Sequence, residues 1–209
     1  MAELIVDYND GDTDVGTNVY RSGGGTYFIW AQVFLTPSAF NVGSIRVFAL
    51  RSSGASAGTI TAYITAVDGN DKPTGASLGS GSVDLMSITA TDIANPENGE
   101  WVTFTMSSTV SLNNGTKYAI VLACSGVNPI NSIFWVRDAN GSYSDGKAYS
   151  NDSASPPVGD LTWTAHNSGL DDFLFEVYND FDPPASGPDI TTKKRLVVAA
   201  NNKIWYEDI

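Results

Sequence analysis

Thr59-Ile60-Thr61-Ala62-Tyr63-Ile64-Thr65 decides the fold class. Its side chains alternate with a period of two, so Ile60, Ala62 and Ile64 share one face while Tyr63 and the threonines share the other. β-branched and aromatic residues fill the run, as a half-buried strand requires. The same alternation recurs from Trp101 to Met106, where Val102, Phe104 and Met106 oppose Trp101, Thr103 and Thr105. Tyr118 to Cys124 is apolar on both faces, the pattern of a central strand covered on both sides. Phe173 to Tyr178 reads as a closing strand. Further strands are expected at Leu4 to Tyr8, Tyr27 to Phe34, Ser44 to Leu50, Leu78 to Asp84 and Ile133 to Val136.

Between these runs lie turn sequences: Asp68-Gly69-Asn70-Asp71, Asn113-Asn114-Gly115 and Ala139-Asn140-Gly141. No ten-residue stretch carries a helical period. Many short strands at this spacing predict an all-β fold, an antiparallel jelly-roll β-sandwich over residues 1–178. After Tyr178 the composition changes. Residues 179–189, Asn179-Asp180-Phe181-Asp182-Pro183-Pro184-Ala185-Ser186-Gly187-Pro188-Asp189, read as a stiff Pro-rich linker. Residues 190–209 read as a C-terminal β-hairpin extension, with Lys194 to Ala200 and Lys203 to Glu207 flanking Asn201-Asn202. Lys193, Lys194, Arg195 and Lys203 concentrate four of the chain's 11 basic residues there. A lone two-stranded hairpin is marginal in water. The hairpin is therefore expected to dock on its own sandwich, a sister subunit or a larger assembly, with Lys194, Arg195, Trp205 and Tyr206 as assembly residues; a loosely ordered terminus is the plainer alternative.

The charged fraction is only 16%, too low for long solvated helices, and Ser, Thr, Asn, Gly and Asp fill the surface instead. A net charge of −12 repels phosphate backbones and argues against a nucleic-acid partner. The single cysteine, Cys124, excludes an internal disulfide and reads as a small buried hydrophobe. Met1-Ala2-Glu3-Leu4 has no basic region followed by a long apolar stretch, so synthesis without standard export is expected. No apolar run approaches the roughly 20 residues needed to cross a bilayer as a helix, so no membrane insertion is expected.

Catalytic patterns fail on context. Gly75-Ala76-Ser77-Leu78-Gly79 fits G-x-S-x-G, but no helix follows to make the nucleophile elbow. His166 is the only histidine, which rules out multi-histidine zinc sites, and its polar neighbours place it in an exposed loop. Glu97 and Glu100 could form a glycosidase pair, but the Asn/Gly/Pro-rich stretch around them reads as a solvated loop. A non-catalytic protein is expected.

Several segments resemble a jelly-roll family found in phage structural proteins and in bacterial surface proteins carrying a choice-of-anchor type domain. They are Trp30-Ala31-Gln32-Val33-Phe34, Gly58 to Ile64, Lys72-Pro73-Thr74-Gly75, Trp101 to Thr105, Leu112 to Leu122, Gly146 to Ser150, Leu161-Thr162-Trp163 and Asp172 to Tyr178. The resemblance implies a carbohydrate-binding-module-like sandwich with no catalytic motif. The hairpin segments, Lys194 to Ala200 and Ile204 to Asp208, resemble connecting segments of phage tail and fibre proteins. The expected function is a virion structural or attachment component of tail, fibre or head-decoration type, made in the host cytoplasm and working as a homo-oligomer among other virion subunits. The alternative is a carbohydrate-binding or adhesive module of a bacterial surface protein.

Two binding sites are expected on residue chemistry. Asp7, Asn9, Asp12 and Asp14 form the densest acidic cluster, and alternating carboxylate and amide oxygens can ligate Ca²⁺. Sandwiches of the resembled kind often hold a structural Ca²⁺ between an N-terminal loop and the last strand, where Asp171 and Asp172 would join; a solvated acidic turn is the competing reading. Trp135, Tyr143, Tyr149 and Trp163 fall in a Gly/Ser/Asn-rich region and could stack on a surface glycan. Trp135 and Trp163 could equally be core residues, whereas Tyr143 and Tyr149 are expected to be exposed.

Overall fold

A computed structural model of the chain describes residues 2–9, 15–21, 27–52, 54, 57–91, 94–125, 133–141, 143–153, 162–166, 171–179, 194–198 and 204–208. Strand is the dominant element, and among the described residues no helix reaches seven residues. The strands are β1 (Leu4–Tyr8), β2 (Val15–Arg21), β3 (Tyr27–Leu35), β4 (Phe40–Arg51) and β5 (Thr59–Val67). They continue with β6 (Pro73–Asp84), β7 (Glu100–Leu112), β8 (Lys117–Ser125), β9 (Ile133–Asp138) and β10 (Ala148–Ser153). The last are β11 (Thr164–Ala165), β12 (Asp172–Phe173), β13 (Phe175–Asn179), β14 (Lys194–Val198) and β15 (Ile204–Asp208).

The fold is the expected antiparallel jelly-roll sandwich with a C-terminal hairpin. One sheet, A, sets β1 beside β13, β13 beside β4, and β4 beside both β7 and β9. The other, B, runs β6-β5-β8-β3-β10-β11. β2 belongs to both: Val15 to Val19 pair with β9, and Tyr20 and Arg21 pair with β3. A strand that changes sheet partway along is how the two layers become one hydrogen-bonded network.

The inner faces meet in the largest core cluster. Sheet B contributes Phe34, Ile60, Ala62, Ile64, Ile120 and Leu122, and sheet A contributes Ile45, Val47, Phe104, Trp135, Phe173 and Phe175. Ile60, Ala62 and Ile64 are fully buried there, as the alternation of the opening stretch predicts. Phe34 of one sheet meets Phe175 of the other with ring centroids 5.9 Å apart. Each such large side chain removed from water contributes about 1.5–3 kcal/mol. Cys124 is buried among them, and loss of solvation pushes its thiol up to about 12, so it stays protonated.

Two details fix the layer geometry. β6 is rich in small residues because it runs against β7 at the side of the sandwich, where a Cβ on Gly81 would lie 2.3 Å from the Thr105 carbonyl oxygen. At Leu174 the chain changes partners. Its N–H donates to Val136 O, and its carbonyl accepts both Phe48 N–H and the Trp135 indole N–H.

β2 and β10 are strands that periodicity did not reveal. In the β5–β6 turn, Asp68 caps the backbone N–H groups of Asn70 and Lys72, which hold its carboxyl below the ordinary range. β14 and β15 form a two-stranded sheet of their own, in register from Lys194↔Asp208 to Val198↔Ile204. Residues 180–193, which hold most of the linker, lie outside the described residues, as do Ala199, Ala200 and Lys203 of the expected hairpin strands.

Candidate functional site

Each sheet has an outer face, and the two differ. On sheet B the outward residues of β3 and β8 are Ile29, Ala31, Val33, Ala119, Val121 and Ala123, all nearly solvent-free. Their small size leaves room for Trp163 and Tyr149, which pack on them and are themselves 3% exposed. The Tyr149 hydroxyl reaches Asn70 O at 3.2 Å, in the β5–β6 turn. Burial raises its pKa, with Asp71 and Asp68 adding to the effect.

Three of the four aromatics expected to stack on a glycan are therefore core residues. Tyr149 and Trp163 close the outer face of sheet B, and Trp135 lies fully buried between the sheets, stacked on Phe173 at 4.4 Å. A ring enclosed on both faces has no surface to offer a sugar. Tyr143 is half-buried, edge-on to Phe175 at 5.5 Å and tilted against Tyr8 at 5.7 Å. Its hydroxyl accepts Leu35 N–H at 3.4 Å, and burial pushes its pKa up to about 12.

The acidic residues also take structural roles. Asp171 is fully buried, ion-paired with the Arg137 guanidinium and in hydrogen-bond contact with Nδ1 of His166. His166 is half-buried against the Trp30 ring at 4.7 Å, a correction to the exposed loop expected from its polar neighbours. Asp172 accepts Gln32 Nε2–H at 3.1 Å and Tyr143 N–H at 3.1 Å. Burial pushes its pKa up to about 6; those two hydrogen bonds oppose the shift, and Asp138 and Asp171 add to it. Asp138 accepts the Tyr8 hydroxyl at 2.8 Å. Asn9 donates to Glu176 at 3.1 Å, on the opposite side of the strand pair from that network, and Asp7 stands across from Glu176 in the β1–β13 register. Asp12 and Asp14 lie outside the described residues. Among the described residues no three His, Cys, Asp or Glu side chains are arranged to hold a metal ion.

The outer face of sheet A is more open. Leu50, Phe134, Val136 and Leu174 are buried, but the cluster continues into half-exposed Phe48 and Trp101, edge-on at 5.4 Å. Arg46 stands beside them, its guanidinium 5.3 Å from the Trp101 ring and 5.9 Å from the Tyr178 ring. Nη1 of Arg46 donates to Glu176 at 2.7 Å and to the Tyr178 hydroxyl at 3.2 Å. Tyr178 donates in turn to Glu176 at 2.9 Å. The ion pair orients the cation between two rings, so the face presents aromatic surface and fixed positive charge in one place. The alternation of Trp101, Thr103 and Thr105 already put the indole on the polar side of β7. Its grouping with Arg46, Phe48 and Tyr178 comes from strand order, which no local pattern carries.

The residues of the active-site patterns take places in strands and turns. Ser77 lies inside β6 and donates to Gly79 O at 2.8 Å, with no strand-to-helix turn beside it. Glu97 is exposed in a 3₁₀ turn, Pro96–Asn98, while Glu100 opens β7 and accepts Thr89 N–H. In the hairpin the register sets Lys194 across from Asp208 and Arg195 across from Glu207, and places Trp205 and Tyr206 opposite Val197 and Leu196. Among the described residues no helix is long and apolar enough to cross a membrane. Compared with known proteins, the chain matches no family model and no curated protein.

Proposed function

We propose that the protein is a non-catalytic structural or attachment component of a virus particle, of tail, fibre or head-decoration type. In this role the sandwich is a rigid module and the C-terminal hairpin joins it to neighbouring subunits. The observation that supports this most is the hairpin's two-stranded sheet, which among the described residues pairs with no strand of the 13-stranded network. Two strands alone bury too little to be stable in water, so the hairpin needs a partner surface. Multiple copies in an assembly also turn weak contacts into strong attachment. Sedimentation of the full chain against a Leu196→Pro variant tests the reading, since proline removes a ladder donor. An oligomer that dissociates in the variant, with the sandwich still folded, supports it. A monomer for both chains overturns it.

An adhesive module of a bacterial surface protein is the second reading. The open Arg46, Phe48, Trp101 and Tyr178 face favours it, because exposed aromatic and arginine side chains are common anchors of recognition.

A further inference from the structure

We propose that the outer face of sheet A is the seat for the C-terminal hairpin of a second copy of this chain. The proposal rests on the assembly reading above and names the surface that the hairpin meets. In register, Leu4 of β1 stands beside Tyr178 of β13, and Glu176 of β13 stands beside Arg46 of β4. Arg46 and Phe48 stand beside Thr103 and Trp101 of β7, and Ser44 beside Thr105. Cross-strand partners share a face. Leu4, Tyr178, Phe48 and Trp101 thus spread apolar and aromatic surface over four adjacent strands, with Arg46 held among them. Leu4 is 39% exposed, and Thr103 and Thr105 are exposed at the β7 side. An exposed apolar patch rimmed by polar residues marks an interaction site, and Trp, Tyr and Arg are the residues that anchor one.

The hairpin matches this face in shape and charge. Its register sets Leu196 across from Tyr206 and Val198 across from Ile204. With a period of two, these four residues fall on one face of the hairpin, and that face is apolar. Residues 190–209 hold four basic and two acidic residues, while residues 1–189 hold seven and 21, so a cationic hairpin meets an anionic sandwich. On the face itself Asp7 lies in the row of Glu176 and Arg46, and exposed Glu3 precedes Leu4, which makes the β1 side of the patch acidic. The linker decides between the chain's own hairpin and a neighbour's. β13 ends at Asn179, one residue past Tyr178 of this same patch. By composition, the 14 residues from 180 to 193 make a Pro-rich spacer that reaches about 43 Å. A sandwich of this size is about 40 Å across. A stiff spacer of that length carries the hairpin away from the face where it starts and toward the same face of a neighbour. In a closed symmetric assembly each copy then gives one hairpin and receives one.

The test combines photo-cross-linking and sedimentation of the full chain. A benzophenone amino acid placed at Thr105, on the rim of the patch, should give a product of twice the chain mass, linked to a peptide within residues 194–208. Leu4→Lys and Thr103→Lys add positive charge at exposed positions of the face, and each should weaken association about tenfold. Leu78→Lys, at the exposed leucine of β6, should leave association unchanged. Should Thr103→Lys fail to fold, Leu4→Lys and the cross-link carry the test. An oligomer that survives both Leu4→Lys and Thr103→Lys, yet dissociates with Leu196→Pro, would overturn this inference and keep the assembly reading. A cross-link to the hairpin of the same chain, to a segment outside residues 194–208, or none at all in the oligomer, would overturn it as well. A monomeric full chain would overturn the assembly reading and this inference with it.

Discussion

The outer faces of the two sheets are built from similar strands and end in opposite states. On sheet B, alanines and valines of β3 and β8 are roofed by Trp163 and Tyr149, and the face becomes a second core. On sheet A, the cluster of Leu50, Phe134, Val136 and Leu174 grades into half-exposed Phe48 and Trp101, with Arg46 and Tyr178 alongside. Large aromatics serve both, but one set closes a surface and the other presents it. Tryptophan number and neighbourhood do not decide which role a ring takes; the size of the residues beneath it does.

That contrast is broken most easily at the roof. Trp163→Ala should cost about 3–5 kcal/mol, because it opens a cavity over small residues that cannot fill it. Trp101→Ala should cost much less, since its ring is already partly in water. Urea unfolding of the two variants measures the difference, and equal losses would erase the distinction between the faces. The next effect lies at the end of the sandwich. Asp171→Ala leaves Arg137 and His166 facing a buried site without their carboxylate, an expected loss of about 3 kcal/mol. Asp171→Asn, which keeps the shape, should restore only part of it.

Asp172 gives a smaller, pH-dependent effect. Its folded pKa, about 6, lies above the ordinary 3.8, so the folded state holds the proton more tightly than the unfolded state. Its contribution is therefore fully present below about pH 4 and is lost as pH rises through 6, a fall of about 1–2 kcal/mol. Chemical unfolding at pH 4 and pH 7.5 should show this slope, and Asp172→Asn should flatten it. The smallest effect is on the open face. Arg46→Met keeps much of the apolar stem but removes the ion pair with Glu176, whose buried carboxylate keeps its Asn9 and Tyr178 donors, and should cost about 1 kcal/mol. A larger loss would mean that Arg46 anchors the fold rather than a surface.

Much of the fold was legible because period-two alternation reports the inner face of a sandwich directly. Thr59 to Thr65 and Trp101 to Met106 sit in β5 and β7 with the expected residues inward. β2 was not legible. Val15-Gly16-Thr17-Asn18-Val19-Tyr20-Arg21 has no clean alternation, and the strand changes sheet along its length. The candidate sites were less legible still. Trp163 has exposed neighbours at Thr162 and Thr164, so local polarity marks a loop although the ring packs on the outward residues of β3 and β8. His166 looks solvated in sequence because Asp171 and Trp30 reach it through tertiary packing. Trp101 is the converse case: its parity placed it on the polar side of β7, but its companions on β4 and β13 are remote in sequence.

Hydroxyl-radical footprinting of the intact chain, with the modification rate of each tryptophan read by mass spectrometry, tests the difference between the faces most directly. Trp101 should be oxidised readily, while Trp135 and Trp163 should be protected together until the protein unfolds. Oxidation of Trp163 in the folded protein as fast as Trp101 would contradict a closed face on sheet B and an open one on sheet A.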